Sequence, residues 1–351
     1  QNSLGSNTTA SNNTAIGYVA LVANTTGASN VAVGASSLDA NTEGSNNTGV
    51  GFNALTSNTT AAGNTAVGYN SLAANTTGAS NTAVGSGALD ASTTGASNVA
   101  VGLNSMTSNT NGYENTAVGK DSLASCTEGF ENTAIGHNCG AAITTGDNNT
   151  FVGNAAGQAN TTAGANTAVG NAALASNTTG ATNNAFGANA LDACTTGARN
   201  NGFGYRALAS ATTGYYNTAI GHQAGDDITD GFKNICIGHD ADISAGNNQH
   251  TIVIGESITA ASNDFSFGKA SNVVTNDFDT DANWSRSSDE RLKKNITNQT
   301  LGLDFINDLR TVKYNWKASN ELDSTDAELS HLYKEDAADN EMNTSAVMHN
   351  F

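Results

Sequence analysis

Apolar side chains recur in this chain at two fixed phases of a seventeen-residue interval. One column runs Ile16, Val33, Val50, Val67 and Val84, and a second runs Leu21, Leu38, Leu55, Leu72, Leu89, Met106 and Leu123. Glycine follows the first column directly, from Gly17 to Gly255, with no insertion or deletion, and asparagine stands four residues before the glycine from Asn13 to Asn234. Most units therefore read Asn-Thr-Ala-Val-Gly. A strict period near twenty residues marks a solenoid, in which each coil buries its apolar side chains only against neighbouring coils. β-Branched Val, Ile and Thr before the glycine, with Asn, Thr and Gly elsewhere, predict two short strands joined by two turns per coil. The expected fold is all-β, a repetitive β-solenoid or β-roll with a thin core made by the two apolar columns.

Smaller features fit the same coil. Ala15, Ala32, Ala66, Ala83, Ala100 and Ala117 recur next to the first column and would allow close packing against another coil or another subunit. A second glycine follows the first by ten residues, at Gly27, Gly44, Gly78, Gly95, Gly112 and Gly129, and is expected to close a turn with positive φ. Ala61 occupies the same place, so the turn tolerates alanine. The asparagine column reads as a hydrogen-bonded ladder running from coil to coil. Leu4 falls in phase with the leucine column and Asn7-Thr8-Thr9 with the turn, which places residue 1 inside a coil. At a strand spacing of about 4.8 Å the array makes a rod of roughly 70 Å.

Composition narrows the functional classes. Hydrophobic residues are 38% and charged residues 13% of the chain, so the surface must be mostly Asn, Thr, Ser and Gly. Proline is absent, which removes collagen-like and polyproline shafts and suits a ladder that uses every N–H. A net charge of −18 argues against a nucleic-acid partner, since phosphate binding needs Lys and Arg. No run of about twenty apolar residues predicts membrane insertion, and no signal peptide is recognisable. Cys126, Cys139, Cys194 and Cys236 lack metal-ligand spacing, and Cys126 and Cys194 replace the asparagine of one turn, so free thiols and no cofactor or metal are expected.

The array offers several sharper chemistries. The many Asn-x-Thr triplets arise from its turns and need not be glycosylation acceptors. Thr-Thr pairs such as Thr25-Thr26 and Thr59-Thr60 suggest an ice-binding face, but adjacent strand residues point to opposite sides. Asp39, Glu43, Asp90, Asp121 and Glu128 form no recurring pair, and Asp226-Asp227 is an adjacent pair whose side chains should diverge, so no glycosidase site emerges. His137, His222 and His239 all follow the column glycine and would ring a metal only if they faced a trimer axis; the same column holds Tyr18, Phe52, Tyr69, Leu103, Lys120 and Asn154.

After Gly255 the period decays through Asp264-Phe265-Ser266-Phe267-Gly268. The organisation expected is a shaft over 1–255, a neck over 256–287 and a separate module over 288–351. Asp277, Asp279 and Asp281 alternate like the start of a calcium loop, but Ala282 stands where that loop needs glycine and Ser288 where it needs glutamate. The module opens with Trp284-Ser285-Arg286-Ser287-Ser288-Asp289-Glu290-Arg291-Leu292-Lys293-Lys294. Ser287 with Glu290 makes a capping box, predicting a short helix, then an amphipathic helix around Leu303 to Leu309 and a strand through Val312 to Lys317.

Ser288, Asp289, Arg291 and Lys293 complete the Ser-Asp-x-Arg-x-Lys pattern of the self-cleaving intramolecular chaperones at the C-termini of phage tail fibres and tail spikes, which residues 284–351 resemble. The similarity continues through Gly302-Leu303-Asp304-Phe305-Ile306, His331-Leu332-Tyr333-Lys334-Glu335-Asp336 and Met348-His349. The family's domain runs on well past the Met-His segment, so only its N-terminal part is expected here. The resemblance implies a homotrimer and a cut between Ser287 and Ser288. Ser288 would attack the preceding carbonyl and Lys293, made neutral by its surroundings, would be the general base. Asp289 and Arg291 would fix the turn. Such a protein would sit on a virion tail beside other tail proteins and contact a bacterial glycan or protein receptor. The repeats also resemble the heads of trimeric autotransporter adhesins, which makes a non-enzymatic bacterial surface adhesin the alternative.

Overall fold

A computed structural model describes residues 2–280, the short segments 312–314 and 348–350, and residue 325. The chain divides into two compact units, Gln1–Ala282 and Asn283–Phe351. In the first, three-residue strands stack in parallel from Thr14–Ile16 through Ile235–Ile237, each paired with the next in one register. Thr14 opposes Val31, Ala15 opposes Ala32 and Ile16 opposes Val33, and so on along the rod. The solenoid is all-β, with no helix among the described residues.

Each coil carries one strand, not the two expected. The second apolar segment is a tight turn in which Leu21, Leu38, Leu55 and their equivalents have φ near +53°. Leucine pays a steric penalty in that left-handed region, and full burial of these side chains compensates for it. Only in the last coils, where Asp242 and Thr259 replace leucine, does the segment extend, and there Ala241–Ile243 pairs in parallel with Ile258–Ala260.

The core also differs from expectation. Alternation within the strand sends Ala32, Ala66, Ala83 and Ala100 inward, fully buried against the leucine column. Thr14 and Ile16, and their equivalents, therefore face out together. Val67, Ile135 and Ile220 are 36%, 41% and 45% exposed. The valine column is thus a surface stripe, because the turn leucines leave the strand room only for a methyl group.

Asparagine supplies the rest of the interior. Asn30 Oδ1 accepts from Asn47 N–H at 2.9 Å, and Asn30 Nδ2 donates to Gly44 O at 2.8 Å. A second column stacks amide on amide, with Asn41 donating to Asn24 Oδ1 and Asn58 to Asn41 Oδ1, both at 2.8 Å. Buried side-chain amides are tolerated because the neighbouring coil supplies partners for most of them, Asn109 being an exception whose Nδ2 and Oδ1 are both unpartnered. Cys126 and Cys194 occupy this second column, their thiols facing Gly129 O and Gly197 O.

The two glycine columns answer to different demands. Gly34 has φ of +137°, and a Cβ on it would lie 2.2 Å from Gly51 O. Gly27 lacks the positive φ expected of it; a Cβ there would meet Gly44 O at 2.2 Å, so close approach of coils selects the glycine.

Past Gly255 the parallel ladder continues across a shorter coil, with Gly255 opposite Gly268. Asn272–Asp277 then folds back antiparallel on Asp264–Lys269. In the second unit, Val312–Tyr314 pairs antiparallel with Met348–Asn350, which realises the beginning of the strand expected from Val312. The two helices expected before it lie outside the described residues.

Candidate functional site

The residues on which the sequence concentrates chemistry, Ser288, Asp289, Arg291 and Lys293 with the Ser287–Ser288 bond, lie outside the described residues. Of the calcium-like triad Asp281 does also. Asp277 closes a turn, accepting from Asp279 N–H and the Thr280 hydroxyl, each at 2.8 Å. Those two donors hold its carboxyl below the ordinary range, the Asp279 N–H most strongly.

The acidic residues of the last coils are structural in their geometry. Asp226 pairs with Arg206 at 3.1 Å. Asp242, buried inside the coil, accepts from Asp227 N–H and Ile243 N–H, both at 2.8 Å. Burial pushes its carboxyl up to about 7 despite those donors, with Asp227 and Asp226 adding smaller repulsions. Both of its oxygens are engaged by backbone N–H groups.

His222 and His239 occupy consecutive rungs and stack at 5.0 Å, with Tyr205 stacked on His222 at 5.2 Å. His239 Nδ1 lies 3.1 Å from Asp240 Oδ2, and the potential ligand atoms of His222, His239 and Asp240 fall within 4.8 Å of one another. His137 instead contacts Asn154 Nδ2 at 3.1 Å. The parallel imidazoles follow from the ladder, which places equivalent positions one strand spacing apart.

A different concentration of side chains lies in the turn before the strand. One column of this turn reads Ser29, Asn46, Gly63, Ser80 and Ser97 near its start, and Arg199, Tyr216, Lys233 and His250 near its end. The column beside it changes from Ala28, Ser45 and Ala62 to Tyr215 and Phe232. Tyr215 and Phe232 stack at 4.9 Å with planes 1° apart, Tyr216 stands edge-on to Tyr215 at 5.7 Å, and His250 stands edge-on to Phe232 at 5.5 Å. The Arg199 guanidinium lies 5.2 Å from the Tyr216 ring centre and Lys233 Nζ 5.9 Å from that of Phe232. A shorter counterpart, Tyr113 stacked on Phe130 at 5.0 Å, is flanked by Glu114 and Glu131. Composition alone conceals these patches; reading each phase of the repeat as its own column would have found them.

No helix among the described residues is long and apolar enough to cross a membrane. No curated protein matches the chain. Residues 288–331 match the family model described as chaperone of endosialidase. That match, following a β-solenoid of seventeen-residue coils, fits a phage tail fibre with a C-terminal chaperone.

Proposed function

We propose that the chain carries the shaft and a chaperone segment of a homotrimeric phage tail fibre or spike that contacts the bacterial surface and is processed between Ser287 and Ser288. The observation that carries this reading is the sequence of parts: an unbroken parallel ladder from Thr14 to Lys269 in the first unit, then the family match that starts at Ser288. The shaft over 1–255 provides reach, 256–287 joins it to the module, and 288–351 directs assembly.

The exposed Thr and Val face supports self-association. A row of apolar side chains repeating at the strand spacing is matched along its whole length only by another array with the same rise, and a second copy supplies that period. The long unbroken apolar face is also the kind of surface that marks an interface.

For processing, Ser288 is the nucleophile and Lys293 the general base, with Asp289 and Arg291 holding the turn. A serine hydroxyl attacks the Ser287 carbonyl once its proton passes to a neutral lysine amine. Breaking the Ser287–Ser288 C–N bond, with the proton passed on to the leaving nitrogen, frees the Ser288 amine and leaves the Ser287 acyl group as an ester on Ser288 Oγ; water then hydrolyses that ester, releasing the Ser287 carboxylate and regenerating the Ser288 hydroxyl. The test is expression of the protein beside its Ser288→Ala form, with mass spectrometry of the products. A fragment ending at Ser287 in the parent and an intact chain in the variant are expected; cleavage of the Ser288→Ala protein at the same bond overturns the assignment.

A further inference from the structure

Cations are scarce on this solenoid. Over residues 2–280 they are Lys120, Arg199, Arg206, Lys233 and Lys269, in a chain of net charge −18. Lys120 is paired with Asp121, Arg206 with Asp226 and Lys269 with Glu256. Among the described residues, Arg199 and Lys233 alone of these five have no carboxylate partner, and both lie against aromatic rings in one surface column.

We propose that Arg199, Tyr215, Tyr216, Phe232, Lys233 and His250 form a binding site for an anionic saccharide, one carrying carboxylate or phosphate groups. The site deepens the receptor-binding part of the fibre reading and rests on that reading for its biological setting. Tyr215 and Tyr216 are 40% and 47% exposed, and Arg199, Lys233 and His250 are exposed beside them. Sugar rings present a face of C–H groups and a rim of hydroxyls, which suits large aromatic surfaces with polar edges. A guanidinium resting on Tyr216 keeps its N–H edges free for the paired oxygens of a carboxylate or phosphate, and Lys233 adds a second point charge.

The backbone beneath is fixed before any ligand arrives. Tyr215, Phe232 and Gln249 are bridged in parallel, a ladder found in this turn only at these rungs among the described residues. Lys233 N–H donates to Tyr215 O at 3.0 Å and His250 N–H to Phe232 O at 3.2 Å. Side chains on so rigid a base hold their spacing at little entropic cost on binding.

Size and charge select the occupant. Four rungs span about 14 Å and the two adjacent columns lie about 3.3 Å apart along the chain, a strip far short of the roughly 800 Å² that a standard protein interface buries on each partner. An extended chain of sugars lying along the rod fits that strip. The surrounding acidic surface repels anions at a distance, so an acidic ligand gains only where Arg199 and Lys233 reverse the local field within the Debye length of about 8 Å.

The experiment uses the whole chain in surface-plasmon or calorimetric titrations against four probes: oligogalacturonate for carboxylate, phosphomannan for phosphate, dextran as the neutral sugar and polyglutamate as the acidic polypeptide. Three variants introduce the serine that Ser29, Ser80 and Ser97 already hold in this column: Arg199→Ser, Tyr216→Ser and Lys233→Ser. Lys120→Ser, on another face, is the control. The expected result is saturable binding of one or both anionic sugars, no binding of dextran, and at least a ten-fold loss in each of the three variants but none in the control. The two anionic arms tell which group the site takes. Failure of both anionic sugars to bind overturns the proposal, as does equal binding of polyglutamate, or binding that Tyr216→Ser leaves unchanged. Particle mass measured on the same samples keeps the readings apart: a trimer that binds neither sugar loses the site alone, and a monomer that binds loses the fibre alone.

Discussion

Phe151 fills the space that the leucine column leaves open at Gly157: a Cβ built on Gly157 would come 2.5 Å from the Phe151 ring. Phe151 stands where other coils place alanine, and Gly140 and Gly157 stand where they place leucine. The Phe151 ring occupies part of the space that two leucines would fill, lying against both Gly140 and Gly157.

Phe151→Ala should therefore cost about 3–5 kcal/mol through the cavity it leaves. Gly157→Leu alone should also destabilise, since the new side chain collides with the ring. The double variant Phe151→Ala with Gly157→Leu restores the arrangement of ordinary coils and should recover much of the loss. Urea unfolding of the four proteins closes the cycle; additive losses would show that the two residues do not share one volume.

Asn81 offers a test of the polar ladder. Its Nδ2 donates to Gly95 O at 2.8 Å and its Oδ1 accepts from Asn98 N–H at 2.9 Å. Asn81→Ala strands both partners inside the coil, at about 1–3 kcal/mol for each unsatisfied group. Hydrogen exchange should locate the weakening at the coils around Asn81, because in a linear array each coil depends on its neighbours.

The four buried thiols should be unreactive in the folded protein. Burial pushes Cys126 up to about 11 and Cys139 and Cys194 up to about 12, and it raises Cys236 as well. Thiolate is the reactive form, so iodoacetamide at pH 8 should label none of them natively and all of them in denaturant. Rapid native labelling would mean that the coils open.

Asp242 should make the last coils sensitive to pH. Its folded pKa of about 7 lies above the ordinary carboxyl value of 3.8. The unfolded chain therefore releases its proton first, so the protonated form's contribution is complete below pH 3.8 and is lost as pH rises to about 7. Asp242→Asn should raise the unfolding midpoint of these coils at pH 8 relative to the parent, and the advantage should shrink at pH 5. A difference independent of pH would assign the effect to packing.

The outward stripe gives the test of assembly. Val101→Glu with Val118→Glu places like charges on adjacent rungs of the Val face without entering the core, which these side chains do not line. Light scattering should show a smaller particle with unchanged circular dichroism. Retention of the parent's mass would remove this face from the interface.

The period, the asparagine ladder and the place of Cys126 and Cys194 were legible because each is demanded once per coil and so repeats in the sequence. Which apolar column turns inward was not. Val33 is more hydrophobic than Ala32, yet the turn occupied by Leu38 decides that only Ala32 fits inside. The left-handed backbone at Leu38 was equally hidden, since leucine disfavours it and tertiary packing imposes it. Ser288 and Lys293 were legible as a motif in sequence alone. Arg199, Tyr216, Lys233 and His250 are scattered in the sequence and become neighbours only once residues seventeen apart are read as adjacent.

The unvarying register from Thr14 to Ile237 has a genetic corollary. Because each coil presents the same edge it receives, loss or gain of seventeen codons by recombination between near-identical units leaves every other contact intact. Reach can thus evolve in steps of one strand spacing, about 4.8 Å, while a patch such as that around Tyr216 keeps its chemistry and changes only its height along the rod.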